Sequence, residues 1–316
     1  MTEAWWPDED EQDRPLPSTV KVRVPAKINL HLGVGPLRRD GFHELRTVYH
    51  AISLHDEVTA RRGDTLTLTM EGEGAGSLAL DDSNLIIRAA HTLAEFAKVN
   101  AHARLHLRKQ IPLAGGLAGG SADAAATLVA CDALWGTGVP RDELARLAAS
   151  LGSDVPFLVH GGTALGTGRG EAVSPVLARA HTWHWVLGLA EGGLSTPDVY
   201  RELDRLRLAG EAPEPLGDTD DLMAALRQRD PAVLATALGN DLQAAAISLR
   251  PALGEVLRAG TEAGALAGLV SGSGPTCVFL ASSADHAGEV ATGLEKAGVC
   301  RAVRVTQGPV VGARAI

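Results

Sequence analysis

Apolar and polar residues alternate regularly near the start of the chain. Every second residue from Val20 to Val34 is apolar, and most of the residues between them are polar or basic. This period of two predicts a half-buried strand pair interrupted at Pro25, which has no backbone N–H to give to a ladder. Lys27 and Asn29 would then share the polar face. A lysine on such a face is usually solvated, so Lys27 gains a function only if an anionic group meets it.

Shorter patterns of both kinds follow along the rest of the chain. Strands are predicted at 65–70, 103–108 and 300–305, a strand or helix at 48–58, and a strand–turn–strand at 267–280. Helices are predicted at 85–99, 141–151, 222–227, 231–238, 251–263 and 284–297, and from residue 199. A buried strand at 183–189 begins a second domain, with the boundary near residue 180. Strands and helices mixed in this way indicate an α+β fold.

A glycine-rich stretch joins one predicted strand to an alanine-rich helix. Pro112 ends the strand, four glycines follow between 115 and 120, and Ser121 is a predicted N-cap for a helix that runs to about Trp135, with Asp123 in its first turn. A glycine loop that leads into a helix N-terminus is suited to binding an anion. It matches neither the Walker A spacing nor the dinucleotide fingerprint. The alternative is a flexible turn before an ordinary helix.

Composition and charge narrow the possible partners. The length of 316 residues suits one large or two medium domains. The net charge of −9 argues against a nucleic-acid surface but not against a phosphate-bearing small molecule. No apolar run could cross a membrane, and three distant cysteines indicate reduced thiols, so we expect a cytoplasmic protein. Residues 1–18 are predicted to be a disordered acidic tail.

Three motifs, taken in order, resemble those of a known family. They are Pro25-Ala-Lys-Ile-Asn-Leu30, the stretch from Pro112 to Ala124, and Val270-Ser-Gly-Ser-Gly-Pro-Thr276. Their order and spacing resemble the GHMP kinases, the small-molecule kinases named for galactose, homoserine, mevalonate and phosphomevalonate. The segments 25–30, 39–43, 152–157 and 168–171 resemble the branch of that family that acts in the non-mevalonate isoprenoid pathway. Several separate segments that agree are far more specific than any one of them.

The resemblance implies both a fold and a reaction. Residues 19–180 would form an N-terminal domain of the ribosomal-S5-domain-2-like type, and residues 181–316 a C-terminal ferredoxin-like domain. ATP and a second substrate would meet in the cleft between the two domains. The γ-phosphate of ATP would pass to a hydroxyl of a diphosphocytidyl sugar alcohol, with Mg²⁺ as the metal. The resemblance gives no oligomeric state beyond monomer or homodimer.

The resemblance also assigns roles to residues. Lys27 and Asp154 match the catalytic pair: Asp154 would accept the hydroxyl proton, and Lys27 would hold the reacting groups and offset negative charge. Ser121 would also reach Mg²⁺. The positions that match the ATP site are Asn84, Lys109, Pro112, Leu113, Ala114, Gly115, Gly116, Leu117, Ala118, Gly119, Gly120 and Ser121.

The acceptor side is implied by Asn29, Phe42, His43, Thr196 and Tyr200. Phe42 and Tyr200 would sandwich the cytosine ring, and His43 would hydrogen-bond its polar edge. Position 42 is often Tyr in the family, so the change to Phe keeps stacking and loses a hydroxyl. Two other functions stay open: another GHMP kinase, for homoserine or mevalonate, and a regulator that binds a nucleotide or sugar without catalysis.

Overall fold

Two β-sheets organise the protein. The computed structural model describes residues 15–177 and 181–316, and within them the larger sheet has eight strands and the smaller has four. Residues 1–14 of the predicted acidic tail lie outside the described residues. Among the described helices, none has the length and apolarity needed to cross a bilayer.

The N-terminal half contains six strands and four helices within the described residues. The strands are β1 (Thr19–Leu37), β2 (His43–Arg61), β3 (Leu66–Gly72), β4 (Ala103–Lys109), β5 (Thr163–Thr167) and β6 (Ala172–Pro175). The helices are α1 (Leu85–Ala97), α2 (Gly119–Trp135), α3 (Arg141–Ala148) and α4 (Val155–His160). The sheet runs β1-β2-β4-β3, and β5 extends it from β2. Helix α2 is rich in alanine and buried on several sides, because small side chains let it lie close to the strands.

Strand β1 differs from its prediction in two respects. It is one continuous strand paired with β2, and Pro25 produces a shift of register rather than a break. The predicted polar face is also buried, with only 5% of Lys27 and 3% of Asn29 exposed. The glycine stretch covers that face, since the backbone N–H of Lys27 donates to the carbonyl oxygen of Leu117 at 3.2 Å. Lys27 is therefore not a solvated lysine.

The C-terminal half contains the four strands of the smaller sheet, six helices, and two short strands that join the larger sheet, all within the described residues. Its elements are β7 (Trp183–Leu189), α5 (Thr196–Ala209), α6 (Asp220–Gln228), α7 (Pro231–Ala237), β8 (Gly239–Asn240), α8 (Gln243–Leu249), α9 (Ala252–Glu262), β9 (Ala267–Val270), β10 (Cys277–Ala281), α10 (Ala284–Ala297), β11 (Ala302–Gly308) and β12 (Arg314–Ala315). The antiparallel order is β11-β7-β10-β9, so the strands of this sheet lie in the order four, one, three, two. Together with the larger sheet it confirms the two-domain α+β prediction. The short elements α8, β8 and β12 were not predicted.

The two halves share structure across the predicted boundary. Strand β12 pairs with β1, and β8 pairs with β1 as well, so segments beyond residue 181 complete the N-terminal sheet. The sheets also meet directly, because the hydroxyls of Ser53 and Thr306 are 2.8 Å apart and the ring of His50 lies edge-on to Trp185. These contacts hold the two sheets together on either side of a common cleft.

Candidate active site

A cleft of about 970 Å³ lies between the two halves. The glycine stretch before α2 lines it, with the Gly272–Gly274 turn packed beside that stretch, and the beginning of α5 lines it as well. Lys27 lines it beside the glycine stretch, with its ammonium 3.4 Å from the carbonyl oxygen of Gly116, and Asp154 lines it too. Phe42, His43 and Tyr200 are also in the lining and are called its aromatic end. The cleft thus collects residues from segments that are far apart in the chain.

Lys27 and Asp154 face one another in the cleft. The ammonium nitrogen of Lys27 is 3.6 Å from Oδ2 of Asp154 and 2.8 Å from Oδ1 of Asn29. The amide of Asn29 donates to the hydroxyl of Thr47 at 2.7 Å, which fixes the orientation of Asn29. Asp154 stands at the N-terminus of α4, but its side chain makes no capping hydrogen bond and keeps 29% exposure. Its carboxylate is therefore available to a ligand.

Tyr49 is a neighbour of this pair that the sequence prediction missed. Its ring stacks on Phe157 with centroids 5.0 Å apart, and the ammonium of Lys27 is 5.7 Å from its centroid. Burial, together with the charge and hydrogen bond of Asp154, raises the pKa of Tyr49 well above its usual value. The hydroxyl therefore stays protonated and can donate to the carboxylate. Tyr49 was hidden in an apolar run that predicted only a strand or helix.

The glycine stretch is shaped as an anion site. Helix α2 begins at Gly119 after Ala118, which has a φ of 58°, and no side chain caps the first turn. The prediction that Ser121 is the N-cap is wrong, because the helix begins two residues earlier; Ser121 lies in the first turn and lines the cleft. The second domain holds the loop in place, since the hydroxyl of Ser271 donates to the carbonyl oxygen of Gly116 at 3.1 Å.

Several positions assigned to ATP do not line the cleft. Lys109 is completely buried, with its ammonium 2.6 Å from Asp56 and 2.8 Å from Asp123, so its side chain does not face the cleft where the nucleotide is expected. Asn84 instead caps α1 by accepting from the backbone N–H of Ile86 at 2.9 Å. Pro112, Leu113 and Leu117 are also outside the lining, whereas Ala114, Gly115, Gly116, Ala118, Gly119, Gly120 and Ser121 are within it.

The acceptor end brings together the predicted rings in an arrangement that the sequence did not predict. His43 stacks on Tyr200 with centroids 5.2 Å apart, and its Nε2 is 2.9 Å from Oδ1 of Asp204. The guanidinium of Arg169 lies 5.0 Å from the centroid of Phe42. A cytosine ring between Phe42 and Tyr200 would therefore share the face of Tyr200 with His43 and the face of Phe42 with Arg169.

The other predicted acceptor residues lie along the same cleft. Thr196 begins α5, and its hydroxyl is 2.8 Å from that of Ser273. Asn29, which was predicted for the acceptor side, accepts a hydrogen bond from the ammonium of Lys27. Of the residues that prediction missed, Arg169 belonged to a quoted motif, whereas Asp204 gave no signal because it resembles any acid on a helix surface.

The chain matches known proteins in both of its halves. The profiles described as the GHMP kinases N terminal domain and the GHMP kinases C terminal match residues 84–162 and 222–300. The 4-diphosphocytidyl-2-C-methyl-D-erythritol kinase of Salinispora tropica is 74% identical over 314 residues, with 99% of each chain covered.

Solved structures are similar as well. A crystal structure of a 4-(cytidine 5'-diphospho)-2C-methyl-D-erythritol kinase matches with a TM-score of 0.73 and 33% identity, over 92% of this chain and 99% of that one. A homoserine kinase of Cytophaga hutchinsonii matches with a TM-score of 0.75, over 96% of this chain and 99% of that one, but at 20% identity the likeness shows the fold alone. The resemblance seen in the motifs is confirmed: this chain is a GHMP kinase and belongs to the family of 4-diphosphocytidyl-2-C-methyl-D-erythritol kinases.

Proposed function

We propose that this protein transfers the γ-phosphate of ATP to the 2-hydroxyl of 4-diphosphocytidyl-2-C-methyl-D-erythritol. The observation that carries the proposal is the pair Lys27 and Asp154, which lie 3.6 Å apart in a cleft that the glycine loop and the aromatic end also line. ATP bound at the loop would present its γ-phosphate to this pair. The acceptor, with its cytosine at the aromatic end, would present its hydroxyl to the same pair. The acceptor named here is the one in the names of the relatives.

The donor would bind at the start of α2. Its triphosphate would accept hydrogen bonds from backbone N–H groups of the first turn, where the positive end of the helix dipole also favours an anion. Phosphoryl transfer depends mainly on positioning and on charge stabilisation, so a preorganised loop of this kind supplies much of the catalysis. Lys27 would add a positive charge where the phosphoryl group moves.

The proton of the acceptor hydroxyl would pass to Asp154. Asn29 holds the ammonium of Lys27, and the ammonium lies next to the Asp154 carboxylate, so the base and the cation keep a fixed relation. Tyr49 would donate to the same carboxylate and orient the oxygen that receives the proton. A positioned general base of this type typically contributes about 10²–10⁴ in rate.

The acceptor would be recognised through its cytosine and its diphosphate. Phe42 and Tyr200 offer aromatic faces, and His43 offers ring nitrogens to the base. The guanidinium of Arg169 lies beside Phe42 in the cleft, where a diphosphate could replace its 3.6 Å contact with Glu171.

The residues present fit Mg²⁺ held chiefly by nucleotide phosphates. No cluster of three or more His, Cys, Asp or Glu side chains suited to a metal occurs in residues 15–177 and 181–316. Magnesium commonly keeps waters and binds through phosphates with one or two protein oxygens, for which Ser121 and Asp154 are the candidates in the cleft. When bound, the ion would neutralise phosphate charge.

The proposal is tested by the rate of ADP formation in Asp154→Asn. The expected result is a fall in kcat of about 10²-fold or more with little change in nucleotide affinity, because the base is lost and the loop is untouched. Asp142→Asn is the matched control, since that aspartate side chain is 90% exposed on α3. Parental turnover by Asp154→Asn would remove the proposed base while leaving the acceptor assignment open.

A further inference from the structure

Three ionisable side chains are buried together directly behind the glycine loop. Lys109, the last residue of β4, has a fully buried side chain, with its ammonium nitrogen 2.6 Å from Oδ2 of Asp56 and 2.8 Å from Oδ2 of Asp123. The Asp56 side chain is also fully buried, and that of Asp123 is 5% exposed. None of the three lines the cleft, so they cannot act on the reacting groups directly.

This buried triad, Lys109 with Asp56 and Asp123, holds both ends of the loop. On the side where the chain leaves β4, Oδ1 of Asp56 accepts from the backbone N–H groups of Gln110 at 2.5 Å and Ile111 at 2.8 Å. On the other side, Asp123 lies in α2, just after the loop enters the helix. The ammonium of Lys109 joins the two carboxylates and so ties β2 to the beginning and the end of the loop.

The ammonium also supports the first residue of α2. A Cβ atom added to Gly119 would lie 3.0 Å from Nζ of Lys109 and 3.1 Å from Cγ2 of Ile111, so the Gly119 backbone rests on these two side chains. Gly119 lines the cleft and contributes one of the N–H groups at the helix start. A shift of the ammonium would therefore move an N–H group that faces the cleft.

The energetics of the triad argue for a role beyond stability. A buried ion cluster generally stabilises a fold no better than well-packed apolar residues would. Burial tends to lower the pKa of Lys109, but the charges of Asp123 and Asp56 outweigh it and raise that pKa, so the lysine stays an ammonium. Oδ1 of Asp123 is buried without a hydrogen-bond partner among the described residues, which adds a further cost.

We propose that Lys109 is a positioning residue for the nucleotide: through Asp56 and Asp123 it fixes the glycine loop in the shape that receives the triphosphate, without contact to ATP. The inference rests on the proposed use of ATP at this loop. It predicts that damage to the triad weakens nucleotide binding selectively, because at the acceptor end Tyr200 belongs to α5 and His43 is the first residue of β2, 13 positions before Asp56.

The test compares two neighbouring carboxylates of β2 in the full chain. In the parent, one carboxylate oxygen of Asp56 accepts from Lys109 and the other accepts from two backbone N–H groups. The amide of Asp56→Asn has only one oxygen, so it cannot accept from both sets of donors. Glu57→Gln is the matched control, because Glu57 is only 3% exposed and pairs with Lys21 and Arg23, on the other face of the strand. Titration calorimetry with the non-hydrolysable analogue AMP-PNP and Mg²⁺ measures binding without any acceptor, so an error in the proposed acceptor leaves the test intact.

The expected result is a loss of AMP-PNP affinity of about tenfold or more in Asp56→Asn, with the acceptor KM changed less than about twofold. Glu57→Gln is expected to bind AMP-PNP as the parent does, even if its melting temperature falls by a similar amount. Asp123→Asn, which keeps an amide oxygen for Lys109, is the second variant if Asp56→Asn fails to fold, and we expect a loss of about fivefold. Parental affinity in Asp123→Asn, or an equal loss in Glu57→Gln and Asp56→Asn, would overturn the proposal.

Discussion

Acidification is expected to destabilise this protein through one buried histidine, His50. The His50 ring is fully buried, its Nδ1 is 2.8 Å from the hydroxyl of Thr163, and its edge faces Trp185 where the two sheets meet. Burial lowers the pKa of His50 to about 3, only partly offset by the backbone of Gly308. The folded state therefore keeps this imidazole neutral.

The sign and size of the effect follow from linkage. An unfolded histidine has a pKa near 6.5, so between about pH 6.5 and pH 3 the unfolded chain binds a proton that the folded chain refuses. The stability from neutral His50 is thus present above pH 6.5 and is lost as the pH falls. From pH 7.5 to pH 5.0 the loss is about 2 kcal/mol, since each unit below 6.5 contributes about 1.4 kcal/mol.

The assay is urea unfolding at pH 7.5 and at pH 5.0 for the parent and for His50→Asn. Asparagine can keep the bond to Thr163 but cannot titrate, so the parent should lose about 2 kcal/mol more than the variant between the two pH values. His31, His160 and His181, whose pKa values burial also lowers, contribute equally to both proteins and cancel. An equal loss in the two proteins would refute the assignment of this acid sensitivity to His50.

Three substitutions in the cleft test its separate parts by steady-state kinetics. Gly116→Ala should raise the KM for ATP about tenfold or more, because Gly116 has a φ of 74° and a methyl group there would collide with the Ser271 carbonyl oxygen; an unchanged KM would count against the loop as the donor site. Asp204→Asn should raise the acceptor KM about fivefold and leave that for ATP unchanged, because His43 loses its carboxylate partner. Arg169→Met should also raise only the acceptor KM, by about tenfold, and an equal rise for ATP would contradict the proposed diphosphate contact.

The sequence predicted the pieces of the site better than their surroundings. Alternation in β1 correctly placed Lys27 and Asn29 on one face, because side-chain direction follows from local backbone geometry. It could not show that this face is buried, since its cover comes from residues such as Gly116, which is 89 positions away in the chain. Asp154 was likewise paired with Lys27 only through the motif resemblance, because nothing local in the chain shows that the fold brings the two side chains within 3.6 Å.

The position of Lys109 follows from the alternation along β4 rather than from the place that the motif resemblance gave it. In β4 the residues Ala103, Leu105, Leu107 and Lys109 share one parity, and all four are buried. The predicted strand ended at residue 108, so Lys109 was not placed on its inward face, and the motif resemblance placed it beside ATP. What the pattern could not supply was the pair of carboxylates, Asp56 and Asp123, that makes burial of this charge tolerable.

The identity of the acceptor is the central claim, and one measurement tests it most directly. ADP release with Mg²⁺ and ATP should be followed with four acceptors in turn: 4-diphosphocytidyl-2-C-methyl-D-erythritol, 2-C-methyl-D-erythritol 4-phosphate, homoserine and mevalonate. Turnover with the first alone is the predicted result, because the end of the cleft formed by Phe42, His43 and Tyr200 would read the cytidine half. Turnover with homoserine or mevalonate, or none with any acceptor in protein that binds AMP-PNP, would contradict the account.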